Sequence, residues 1–121
     1  MAHARHWLTT LVAGSLLFSG QAFAHAHVSS ANPADGAKIT SPTSISLTFS
    51  EGLELPFSGL GLSRVDGNPV SLGDTTLDNG GKTLSAPVSK TLEAGKYAVK
   101  WHVLSTDGHK TEGQYQFTVT P

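Results

Sequence analysis

Asp107-Gly108-His109 sets a carboxylate and an imidazole two residues apart. In an extended segment such residues project to the same side, so the pair could offer an oxygen and a nitrogen to one metal ion. Gly108 between them allows a sharp local turn. The same residues also fit a plainer arrangement, a turn in which Asp107 bonds its own backbone. A second source of donors stands near the start. His25 follows Ala22-Phe23-Ala24, a small-x-small cleavage site, behind an apolar stretch from Trp7 to Gly20 and a short basic start carrying Arg5. That is the layout of a secretory signal, too short to span a bilayer. Cleavage after Ala24 gives a signal peptide, residues 1–24, and one domain, residues 25–121, exported most simply to a bacterial periplasm. His25 then becomes the amino terminus and supplies two nitrogens, the α-amine and ring Nδ1, which close a chelate ring on one ion. With His109 and Asp107 the set is three nitrogens and one oxygen, a tetragonal arrangement that suits Cu(II).

Two alternatives compete for the same end. Ala24-His25-Ala26 also satisfies the small-x-small rule, and cleavage there would start the chain at His27. With cleavage after Ala24, His27 is third from a free amine. Such a terminus can wrap Cu(II) through the amine, two deprotonated backbone amides and the His27 ring. If the Ala26 and His27 amides are tied into a strand ladder the wrap is lost, and His27 is then an outward strand residue. His102 alternates with Trp101 and is expected to face out.

The rest of the composition removes other chemistries. There is no cysteine, and the one methionine is Met1. Disulfides, thiolate nucleophiles, iron–sulfur clusters, cysteine zinc sites and thioether Cu(I) sites are therefore excluded. No G-x-S-x-G elbow occurs, and no glycine-rich loop opens a helix to hold phosphate. A formal net charge of −1 leaves no electrostatic footprint for nucleic acid.

What must position these residues is a sheet protein. About seven short strands are expected: 25–31, 44–49, 62–65, 70–72, 82–88, 96–104 and 114–119. Ile45, Leu47 and Phe49 alternate with polar residues, as do Tyr97, Val99, Trp101 and Val103, and Tyr115, Phe117 and Val119. With Leu62 these make the expected core. Asn32 to Gly36, Asp66-Gly67-Asn68 and Asp78-Asn79-Gly80-Gly81 are turn signals, residues 50–61 read as a loop, and Pro87 places its strand at an edge. No helical period occurs. The expected fold is an all-β, antiparallel Greek-key sandwich or barrel.

Several segments carry a family resemblance. They are HAHVSSANPADG (25–36), ISLTFSEGLE (45–54) and AGKYAVKWHVLSTDGHKTEGQYQFTV (94–119), behind the signal. In this order they resemble the CopC-type periplasmic copper-resistance proteins over most of the mature chain. The resemblance implies a cupredoxin-like or immunoglobulin-like β-sandwich. It also implies Cu(II) held by the terminal His25, His109 and Asp107, with Glu51 matching a family acid near the site that could brace a ligand. Counting back from Pro33, it puts the terminal histidine at His25 rather than His27. Some family members add a methionine-rich Cu(I) loop. Here residues 66–82 are polar and free of methionine, so a Cu(II)-only protein is implied. It would buffer copper, or deliver it to a CopD-type inner-membrane transporter, as a monomer. Two other classes remain in view. A terminal histidine and a second histidine on copper also describe polysaccharide monooxygenases, although Asp107 would fill the position oxygen needs and aromatics are only 7% of residues. A metal-free adhesion or assembly module is the other, since sandwich domains often serve that way.

Overall fold

The computed structural model describes residues 26–121; the expected signal peptide and His25 lie outside them. Strands form where apolar and polar side chains alternate and end where glycine, proline or asparagine interrupts the pattern. In chain order they are β1 (Val28–Asn32), β2 (Lys38–Ile39), β3 (Ser44–Phe49), β4 (Gly59–Arg64), β5 (Pro69–Val70), β6 (Thr76–Asp78), β7 (Thr83–Pro87), β8 (Gly95–Leu104) and β9 (Lys110–Val119). Leu55–Phe57 make a single 3-10 turn, and no α-helix occurs among the described residues. One sheet runs β1-β3-β7-β6 and the other β2-β9-β8-β4-β5. All pairings are antiparallel except β2 on β9. The two sheets face each other as a β-sandwich.

The inward set of each sheet fills the space between. Ile45, Leu47 and Phe49 of β3 and Leu84 of β7 meet Tyr97, Val99 and Val103 of β8 and Phe117 and Val119 of β9, all buried. Tyr97 and Phe117 stack at 5.7 Å, and Phe49 meets Trp101 edge-on at 5.2 Å, geometries that suit the ring quadrupole. Trp101 lies across Gly113, its partner on β9. A Cβ at 113 would stand 2.6 Å from the indole Cζ2, so only glycine fits beneath the ring.

Several expectations are corrected. Among the described residues there are nine strands, not seven, because β2 and β6 are two- and three-residue pairings too short to show a period. β1 begins at Val28 rather than residue 25, and β9 begins at Lys110 rather than 114. Residues 50–61 are not one loop: β4 already starts at Gly59, where two glycines hide the alternation. Pro87 is not on an edge strand, since β7 lies between β3 and β6. It is tolerated because β6 reaches back only to Ser85, leaving no β6 partner opposite Pro87. Trp101 and Tyr115 pack against the core but are only partly buried, whereas Ala26, Leu53, Ala86 and Leu92 join the buried set.

Tyr115 gives the fold an alkaline limit. Its hydroxyl is buried with no hydrogen-bond partner among the described residues. Burial, with a smaller contribution from the Asp35 charge, pushes its pKa up to about 12. A raised acid contributes stability that is complete below the unfolded value of 10.0 and is lost as pH rises to about 12. Tyr115→Phe should therefore be neutral or stabilising at pH 7, because it removes an unsatisfied polar atom. It should also flatten the fall in stability between pH 10 and 12. Chemical denaturation of both chains at pH 7 and pH 11 checks this; an equal alkaline fall in both would contradict it.

Candidate metal centre

β8 and β9 form one long hairpin whose last rung is Leu104 against Lys110. The connection that remains, residues 105–109, carries the carboxylate and the imidazole. The chain there is a turn rather than an extended strand. Gly108 has φ +92°, a backbone region costly for other residues, and its N–H donates to the Ser105 carbonyl at 2.9 Å. The Ser105 N–H in turn donates to the His109 carbonyl at 2.9 Å. The turn, not strand alternation, brings the two functional side chains together.

Among the described residues, three hydrogen bonds converge on Asp107 Oδ1. The His109 ring Nδ1 donates to it at 3.1 Å and the His109 backbone N–H at 3.3 Å. The Ser105 hydroxyl donates to it as well. Both arrangements considered for this tripeptide thus coexist: Asp107 closes its own turn and also faces the imidazole. The Ser105 hydroxyl first, and the His109 ring second, hold the Asp107 carboxyl down to about 2. It is a carboxylate at any ordinary pH, with both side chains roughly half exposed to incoming solutes.

The N-terminal segment arrives at the same end. Ala26 is buried, at 2% exposure, and its carbonyl accepts from the Thr111 hydroxyl at 3.2 Å. Thr111 is two residues from His109. Ser50 secures the next residue: the His27 N–H donates to Ser50 Oγ at 3.1 Å, and the Ser50 N–H donates to the His27 carbonyl at 2.9 Å. Gly52 completes the link, because its carbonyl accepts from the Thr106 N–H at 2.9 Å. Glu51 therefore sits between a residue holding the N-terminal segment and one holding the turn, partly exposed.

Of the residues singled out by sequence, Asp107 and His109 are in direct contact. Glu51 is in the adjoining segment. His27 is exposed and its backbone is engaged with Ser50; His25 lies outside the described residues. His102 is exposed on the outer face of β8. No cluster of three or more metal-ligating side chains occurs among the described residues; Asp107 and His109 are a contacting pair. Sequence reasoning passed over three hydroxyls, Ser50, Ser105 and Thr111. One signal for Ser105 was present: it continues the inward series Tyr97, Val99, Trp101, Val103 by one more step of two.

Comparison with known proteins agrees in both sequence and fold. The CopC domain family model matches residues 28–120. Protein YobA of Escherichia coli K12 is 39% identical over 105 residues, 85% of each chain. Copper resistance protein C of Pseudomonas syringae pv. tomato is 34% identical over 117 residues, 91% of this chain and 92% of that one. The crystal structure of PcoC, a methionine-rich copper resistance protein from Escherichia coli, superposes with a TM-score of 0.71 at 31% identity, covering 80% of this chain and all of that one. A sandwich of this topology, matched from β1 to β9 by one family model and by copper-resistance proteins at these identities, identifies the chain as a member of the CopC family.

Proposed function

We propose that the chain is a binding protein, not an enzyme, which takes up one Cu(II) ion after export to the periplasm. His25 would supply its amine and ring Nδ1, and His109 and Asp107 the other two donors. The observation that carries this reading is the bond from Thr111 to the Ala26 carbonyl. It ties the residue next to His25 beside the turn that bears Asp107 and His109, although the two segments are more than eighty residues apart in sequence. The contact distance supports it too. Two donors about 2.0–2.1 Å from one ion, at right angles, are about 2.9 Å apart; Asp107 Oδ1 and His109 Nδ1 are 3.1 Å apart. A small closure would replace this hydrogen bond by two bonds to one ion, with the imidazole proton carried on Nε2.

The competing wrap through His27 is disfavoured because its deprotonated amide would have to give up the bond from the His27 N–H to Ser50. Glu51, between Ser50 and Gly52, would brace the terminal amine or a ligand. Copper(II) is the favoured oxidation state, since the donors are nitrogen and oxygen and the only methionine, Met1, falls in the expected signal. In the cell the protein would buffer Cu(II) or pass it, as a monomer, to a CopD-type transporter of the inner membrane.

A titration of the chain beginning at His25 tests the reading. One equivalent of Cu(II) should bind, with a tetragonal EPR spectrum showing nitrogen hyperfine structure, and Cu(I) should not be retained against a competing chelator. No uptake of Cu(II) at stoichiometric supply would instead favour a metal-free module.

A further inference from the structure

Ser105 is the one buried polar residue among those described, at 1% exposure. It stands where β8 leaves the sandwich, bridged to Leu53. Its backbone holds both ends of the 105–109 turn through Gly108 and His109. Its hydroxyl has two acceptors in reach, the His109 carbonyl at 3.3 Å and Asp107 Oδ1. The His109 carbonyl already accepts the Ser105 N–H. The turn therefore does not need the hydroxyl to close, and the charge-assisted bond to the carboxylate is the stronger of the two.

We infer that Ser105 is a positioning residue for the metal site, its buried hydroxyl anchoring the Asp107 carboxylate against the His109 ring before any ion arrives. The inference rests on the Cu(II) site proposed above. Asp107 is otherwise an exposed side chain on a turn, with rotamers that point it into solvent. Ordering such a side chain on binding lowers affinity. The anchor works because Ser105 is buried and its N–H and carbonyl are both bonded, which holds its backbone in place behind the carboxylate. Carboxylates and carbonyls commonly orient metal ligands from behind in this way, and losing one such partner costs about tenfold to a hundredfold in metal affinity. Here a hydroxyl orients a carboxylate, and Ser105 makes no contact with the ion.

A double-mutant cycle separates this role from a merely structural one. Cu(II) affinity is measured by chelator competition for the chain starting at His25, Ser105→Ala, Asp107→Ala and the double variant, with metal-free melting curves for each. Ser105→Ala should weaken Cu(II) binding about tenfold when Asp107 is present, with a shifted EPR spectrum, and should have little further effect once Asp107 is alanine. Ser105→Thr, which keeps the hydroxyl, should retain most of the affinity; it also serves if the alanine variant does not fold. An equal loss in both backgrounds, or full affinity in Ser105→Ala, overturns the positioning role while leaving the site intact. If Asp107→Ala and His109→Ala both bind Cu(II) as the parent does, the proposed site itself is wrong and the inference falls with it.

Discussion

Replacing His109 by alanine is expected to lower Cu(II) affinity by about a hundredfold or more, since even partners that only orient a ligand cost about tenfold to a hundredfold. His27→Ala is expected to leave affinity essentially unchanged. The contrast follows from where the two residues sit. His109 faces Asp107 at 3.1 Å on a turn fixed by Gly108 and Ser105. His27 is exposed, and its N–H and carbonyl are both engaged with Ser50. A wrap through the His27 amide would have to undo that engagement before binding metal. The loss in His109→Ala should appear as loss of one nitrogen from the EPR hyperfine pattern. The fold should be unaffected, because the His109 side chain is exposed and its backbone contacts remain. Chelator competition on the two variants decides the matter. A collapse in His27→Ala with retention in His109→Ala would assign copper to the wrap.

Long strands were legible in the sequence and short ones were not. β3, β8 and β9 alternate over six to ten residues, enough for a period of two to stand out. β2 has two residues, and β4 opens on Gly59-Leu60-Gly61, where no outward polar residue marks the alternation. Pro87 misled because proline reports only on its own hydrogen bond. Its strand is central, but at its last residue β6 has already ended, and the Gly73 N–H donates to the Pro87 carbonyl at 2.8 Å instead. Trp101 and Tyr115 carry the right parity for the core yet remain partly exposed. Parity fixes the face of a sheet, not the depth of cover at its rim.

The Asp107–His109 pair was legible as two neighbouring residue types, but its contact has a different geometric reason. Two-residue spacing in a strand was expected to align Asp107 with His109; the structure aligns them through a turn with a positive φ at Gly108. The supports were not legible. Ser50 and Thr111 act through backbone groups of residues far away in sequence, and such pairings exist only once both sheets are assembled. Ser105 falls within the segment 94–119 and keeps the inward parity of β8, but the partners of its hydroxyl are set by the turn and not by parity. That all three supports are hydroxyls agrees with their setting. A short uncharged donor can sit at the edge of an apolar core at little cost if its bond is made.

In the proposed site the amine and ring of His25 hold copper together with the turn at 105–109. Cu(II) titration of two chains tests it most directly, one beginning at His25 and one with a single glycine ahead of it. The extra residue breaks the amine–ring chelate and leaves Asp107, His109 and the described fold untouched. Joining two donors in one residue raises avidity by about 10²–10⁴ without any new contact. A loss of that order is expected, with a changed EPR spectrum. Equal affinity and identical spectra in the two chains would contradict it and place the copper elsewhere.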